Sequence, residues 1–139
     1  MSHSFRKKWL KFAATVVGLF GVMFFFGSMT ATSEPVRCIL DLVSWPLDGN
    51  HSLTDPTARF VSALSGGVLV GWGAMILVLS GDLYDARPEG VRKAILFSAL
   101  AWYLVDSAGS ITSGNATNAI FNILLLLLVV GPFWTASRN

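Results

Sequence analysis

AILFSALAWYLVD, residues 94–106, is the stretch that decides the fold. Twelve residues of almost unbroken hydrocarbon end on a carboxylate, and Asp106 is the one charged residue between Lys93 and Arg138. An apolar run of this kind is lipid-buried helix, because hydrocarbon offers no partner to an open backbone amide or carbonyl. An unpaired charge there costs at least ~2.5–3.5 kcal/mol, so Asp106 must find a partner, reach water or stay protonated. An acid in such a setting is a candidate functional residue by default.

Three further runs of the same character surround it. A span needs roughly 20 mostly apolar residues at ~1.5 Å rise each. Phe12 to Met29 and Phe60 to Ser80 carry no charge, and Ala119 to Ala136 has Asn122 as its one strongly polar residue. The expected fold is all-α, a four-transmembrane-helix bundle forming one domain. Its spans fall near residues 10–31, 56–83, 91–111 and 117–136. Composition agrees, with 13% charged residues and a mean hydropathy of +0.62, against about 25% charged in soluble domains.

Basic residues orient the bundle. Arg6, Lys7, Lys8, Lys11, Arg87, Arg92, Lys93 and Arg138 fall on one side of a four-span weave, and Arg37 and Arg59 on the other. The positive-inside rule then puts both termini in the cytoplasm, and a bacterial inner (plasma) membrane is the expected location. The basic residues flank apolar runs and form no patch, so the pI near 9.0 reflects orientation, and nucleic acid is not an expected partner. The first run is read as an uncleaved anchor, because it is long for a signal peptide and Met29 spoils the small-x-small pattern before Ala31.

The outer loop between the first two spans, residues 33–54, repeats Val36, Ile39, Leu40 and Val43 at helical spacing. This predicts a short amphipathic helix in the interface, with Trp45 as its belt aromatic and Trp102 and Trp134 as further interfacial rings. Asp55-Pro56 caps and opens the second span. His51 stands near Asp48 and Asp55, but without rigid spacing these do not make a set of three or four converging metal ligands, so no metal is expected. The lone Cys38 excludes an intrachain disulfide. Asn50-His51-Ser52 and Asn115-Ala116-Thr117 match the glycosylation acceptor pattern.

Two constellations remain. Ala63, Gly67 and Gly71 form a small-residue stripe on the second span, suited to close helix contact. Ala14 and Gly18 of the first span are its expected internal partners, and a second copy of the chain is the alternative. The other constellation is polar. Spans two and three should be antiparallel neighbours, which sets Arg59 at the depth of Asp106 as its expected ion-pair partner. Asn115, Asn118 and Asn122 follow at i, i+3 and i+7, on one helical face. The plainer reading is a polar clamp that glues helix ends; the sharper one is a substrate, ion or quinone-headgroup site.

The segment Asp55-Pro56-Thr57-Ala58-Arg59-Phe60, with Gly66-Gly67 and Gly71-Trp72-Gly73, resembles the second-helix region of DoxX-like small four-helix membrane proteins. So does the layout, with its long first outer loop. The family is named for a subunit of a thiosulfate–quinone oxidoreductase. The resemblance implies the bundle and no catalytic residue, and Val105-Asp106-Ser107 departs from it where a basic residue is expected. No nucleophile elbow, phosphate loop or paired histidines stand in the chain. The expected role is therefore a non-catalytic accessory subunit of a larger membrane complex, with lipid and a membrane-protein partner or a second copy around it. A small oligomeric transporter or channel, and a membrane subunit of a quinone-linked oxidoreductase, are the alternatives. No cofactor motif is present; a quinone or lipid is the small molecule the polar cluster would suit.

Overall fold

The computed structural model describes residues 2–135 and is all-helical among them. Six α-helices follow in order: α1 (His3–Phe26), α2 (Glu34–Ser44), α3 (Pro56–Leu79), α4 (Asp82–Ala86), α5 (Pro88–Thr112) and α6 (Ala116–Val130). Short 3₁₀ turns at Thr30–Thr32 and Gly131–Phe133 precede α2 and extend α6. Four of the helices are long and apolar enough to cross a membrane: α1, α3, α5, and α6 with its 3₁₀ extension. Arg138 and Ala136, used above for orientation and for the last span boundary, lie outside the described residues.

Local chemistry sets the boundaries. Ser2 accepts a hydrogen bond from the Phe5 amide at 3.3 Å and starts α1 seven residues before the expected span, within the basic segment. Asp55 accepts one from the Ala58 amide at 2.8 Å, and Pro56 occupies the first helical position of α3, where its missing N–H costs nothing. Pro132 cannot continue α6, which tightens into the final 3₁₀ turn.

The bundle is two close pairs. α1 packs against α3, and α5 against α6. In the first pair, Leu10, Ala14, Val17 and Gly21 are buried on α1, and Ser62, Gly66, Gly73 and Ile76 on α3. The backbones nearly touch. A Cβ placed on Gly66 would lie 2.6 Å from the Phe25 amide nitrogen and 2.7 Å from the Gly21 oxygen. One on Gly73 would lie 2.8 Å from both the Ala14 oxygen and the Gly18 nitrogen. Ala14 and Gly18 thus meet α3 as expected, but the stripe that meets them is corrected. Gly67 and Gly71 are exposed with open space beside them, and Ala63 is half-buried. A seam shared by two helices advances by alternating steps of three and four, and the uniform four-residue step of 63, 67 and 71 leads off it.

The two pairs meet across larger side chains. Trp9 Nε1 donates to the Leu128 carbonyl at 2.8 Å, joining α1 to α6. Trp72 and Trp102 lie ring to ring, 5.6 Å between centroids, joining α3 to α5. α3 and α5 are thus neighbours through side chains, but their backbones do not approach as those of α1 and α3 do. Around this core the outward faces carry Phe12, Leu19, Val68, Val78, Phe97, Val105 and Leu124, all exposed. Soluble monomers rarely show apolar patches on that scale; the exterior suits hydrocarbon.

Candidate functional site

Two ends of the bundle carry polar side chains. At the end holding the N-terminus of α1, Asp85 accepts hydrogen bonds from Lys7 and His3, the latter at 2.8 Å. These hold its carboxyl below the usual value. Arg92 grips Glu89 through two nitrogens at 2.6 and 2.8 Å and donates to the Phe133 carbonyl at 3.1 Å. Arg6 is the surprise here, at 2% exposure. It lies over the Phe133 ring, 5.9 Å from its centroid, and donates to the Thr135 hydroxyl at 3.3 Å. Burial pushes the neighbouring Tyr84 hydroxyl up, with Arg6 opposing. Reading Arg6 with the basic flank hid its place on the α1 stripe, one turn before Leu10.

The opposite end, beside the α2 loop, holds the candidate site. Asp106 projects from the last turns of α5, and Asn118 and Asn122 face it from the first turns of α6. Asn122 Nδ2 donates to Asp106 Oδ2 at 2.5 Å and to Ser107 Oγ at 3.2 Å. Asn118 Nδ2 donates to the same carboxylate oxygen at 3.3 Å and to Ser110 Oγ at 2.8 Å. The Ser110 hydroxyl donates in turn to the Asp106 backbone carbonyl at 2.8 Å. In this arrangement both N–H groups of each amide are directed at oxygen acceptors. The two amide oxygens are left as acceptors, with no donor to them among the described residues.

The ion pair expected for Asp106 does not form. Arg59 Nη1 reaches Thr30 Oγ1 at 3.4 Å, and no ion pair to Asp106 occurs among the described residues. The cause is the pairing of helices: α3 lies on α1, so Arg59 meets the end of α1 and not α5. Asn115 also leaves the cluster. It stands before the first turn of α6 in a non-helical conformation, φ −103° and ψ 50°. The one-face argument therefore holds for Asn118 and Asn122 and fails for Asn115, whose side chain reaches Ser113 Oγ at 3.5 Å.

Asn118 and Asn122 line a cleft of about 380 Å³ between α1, α2 and α6. Its other walls are apolar: Phe20 and Phe24 from α1, Ile39, Leu42 and Val43 from α2, and Phe121, Leu124, Leu125 and Leu128 from α6. One end is thus polar, backed by a carboxylate, and the rest is hydrocarbon. α2 lines this cleft through Ile39, Leu42 and Val43, and its Val36 is fully buried. Sequence reading found the polar residues but missed Phe20 and Phe24, which carry no polar signal.

The aromatic residues separate. Trp45 and Trp134 are exposed, at 61% and 51%, whereas Trp102 is half-buried on Trp72. Asp55 is spent on the α3 cap, while His51 Nδ1 lies 2.8 Å from Asp41 Oδ1. The chain matches no protein-family model, no curated protein and no solved structure.

Proposed function

We propose that the protein is a small integral membrane subunit that holds one amphiphilic molecule, of the lipid or quinol class, in the cleft beside α2. The carrying observation is the pair of asparagine amides, with a carboxylate behind them, at one end of an apolar cleft. Ligand sites are mostly apolar with a few convergent polar groups, in volumes of about 300–1,000 Å³, and 380 Å³ falls in that range. The free amide oxygens ask for a hydrogen-bond donor, and Asp106 disfavours an anion. The headgroup is therefore a hydroxyl or amine, with its chain along Phe20, Phe24 and the α6 leucines. In this reading α2 lies in the membrane interface as an amphipathic helix. Both termini are cytoplasmic, since Arg6, Lys7, Arg87, Arg92 and Lys93 gather at the end opposite the cleft, and the membrane is a bacterial inner membrane. The DoxX-like layout is in keeping with a quinone-linked assembly.

The test is native mass spectrometry of the protein in mild detergent. A single bound amphiphile is expected, displaced by dodecanol but not by dodecyl phosphate. Asn118→Ala removes a contact with the headgroup, and Leu124→Trp fills the cleft from its exposed rim; each should abolish the adduct. An empty wild-type protein, or an adduct that survives both substitutions, refutes the reading.

A second reading has its own observation. The open face at Gly67 and Gly71 lets another helix approach α3 closely. It supports an accessory subunit bound to a membrane-protein partner or to a second copy, and is compatible with the first reading.

A further inference from the structure

The connection after α2 folds back on the helix it leaves. Asp41 lies in the last turn of α2, and Asp48 and His51 lie in the connection to α3. One ligand atom from each lies within 4.8 Å of the others, and His51 Nδ1 is 2.8 Å from Asp41 Oδ1. Asp41 takes the place that sequence reading had offered to Asp55, and completes three converging ligands.

We propose that Asp41, Asp48 and His51 form a binding site for a divalent cation of the zinc class, separate from the amphiphile cleft. The donor set is one imidazole and two carboxylates, and imidazole favours zinc and its transition-metal neighbours over magnesium or calcium. Zinc bonds of ~2.0–2.2 Å to nitrogen and oxygen bring ligand atoms to roughly 3.3 Å from one another. The pair at 2.8 Å needs a small opening and Asp48 a small approach, both within the reach of side-chain rotation. The cation would sit between Nδ1 and Oδ1 in place of the hydrogen bond that joins them. Two carboxylates balance the dication, and water completes the coordination.

The surroundings favour occupancy. The Asn50 backbone amide donates to Asp48 Oδ1 at 3.0 Å, which holds that carboxyl group in place beside His51. Arg37 Nε donates to the His51 carbonyl at 2.9 Å, which already fastens the connection to α2. The Arg37 charge is itself met by Glu34 at 2.6 Å. Binding therefore asks for little further ordering, and the ion would staple the connection to a helix that lines the cleft.

The test uses the full chain, purified in mild detergent without a polyhistidine tag. Zn²⁺ alone is added, and retained metal is measured after dialysis, with thermal unfolding in parallel. One zinc per chain is expected, with a rise in Tm. Loss of an outer-shell partner alone weakens metal binding by about 10–100-fold, so His51→Ala and Asp48→Asn should each weaken it at least ~10-fold. Both sit in the connection outside the helices, and unchanged circular dichroism checks the fold. His3→Ala, removing the chain's other histidine, and Cys38→Ser should leave the stoichiometry unchanged. Zinc lost by His3→Ala or Cys38→Ser, zinc retained equally by His51→Ala and Asp48→Asn, or no zinc on the wild type, overturns the proposal.

Discussion

Replacing Gly66 by Ala, and separately Gly67 by Ala, puts one methyl group on adjacent positions of α3 with opposite results. At Gly66 the new Cβ lies 2.6 Å from the Phe25 nitrogen and 2.7 Å from the Gly21 oxygen, both backbone atoms that cannot rotate away. Comfortable contact begins near ~3.5 Å, so α1 and α3 must part by roughly 1 Å along a seam that also carries the 2.7 Å bond from Ser62 Oγ to the Phe24 carbonyl. Overpacking of this kind costs ~1–3 kcal/mol. At Gly67 nothing lies within 4 Å, and Ala in place of Gly in a helix interior is favourable by ~0.5–1 kcal/mol. The two variants should differ by roughly 1.5–4 kcal/mol, a factor of about 10–800 in the folding equilibrium. Reversible unfolding by sodium dodecyl sulfate in mixed micelles reads the difference. Gly66→Ala unfolding at the same detergent fraction as Gly67→Ala, or later, would refute the close α1–α3 seam. Gly67→Leu extends the experiment to assembly: it should leave monomer stability intact and release any helix docked on the open face.

A double-mutant cycle of Arg59→Ala with Asp106→Ala should be additive within ~0.3–0.5 kcal/mol, while Asp106→Ala with Asn122→Ala should couple by more than ~0.5 kcal/mol. Coupling in the first pair and not in the second would reverse the assignment of partners. Cys38 is exposed on α2, so a membrane-impermeant maleimide should label it in intact cells, with Cys38→Ser as the control. Labelling that appears only after lysis would invert the proposed topology.

What the sequence revealed and what it hid have a common physical cause. Four long apolar runs must be helices whatever their neighbours, because backbone satisfaction in hydrocarbon is a local demand. Asp55, Pro56 and Pro132 act within one turn of themselves and were equally readable. Which helix lies beside which is a different kind of fact, settled by the fit of two surfaces. The run of small residues on α3 offers more than one face to a partner, 62-66-73 as well as 63-67-71, and only the complementary surface of α1 selects between them. Arg59 followed that choice away from Asp106. Asn118 and Asn122 could be placed because both lie inside one helix and face the neighbour that a short turn dictates. Asn115 could not, because a single residue beyond the helix start loses the periodicity. Asp41 entered the cation cluster through a chain reversal for which Asp48-Gly49-Asn50 announces a turn but gives no direction.

The choice of residue at position 106 bears on whether the polar cluster is only a clamp. Two asparagines facing one another across α5 and α6 would join the helices through neutral hydrogen bonds, at ~0.6 kcal/mol each in a membrane bundle. An aspartate with an arginine would add charge complementarity. The chain has neither arrangement: a carboxylate is held by two amides and no cation among the described residues. As glue this is costly, since an acid side chain must be drawn from water and neutral amides repay only part of its solvation. It has a consequence that the cheaper arrangements lack. Both amides turn NH₂ toward Asp106, so in the proposed site their carbonyl oxygens would be the acceptors left to a ligand. Asp106→Asn would keep the helices joined but free both amides to flip, and so would leave the clamp while removing the preorganised acceptor pair. That separation of binding from stability is what a headgroup site requires and a clamp does not.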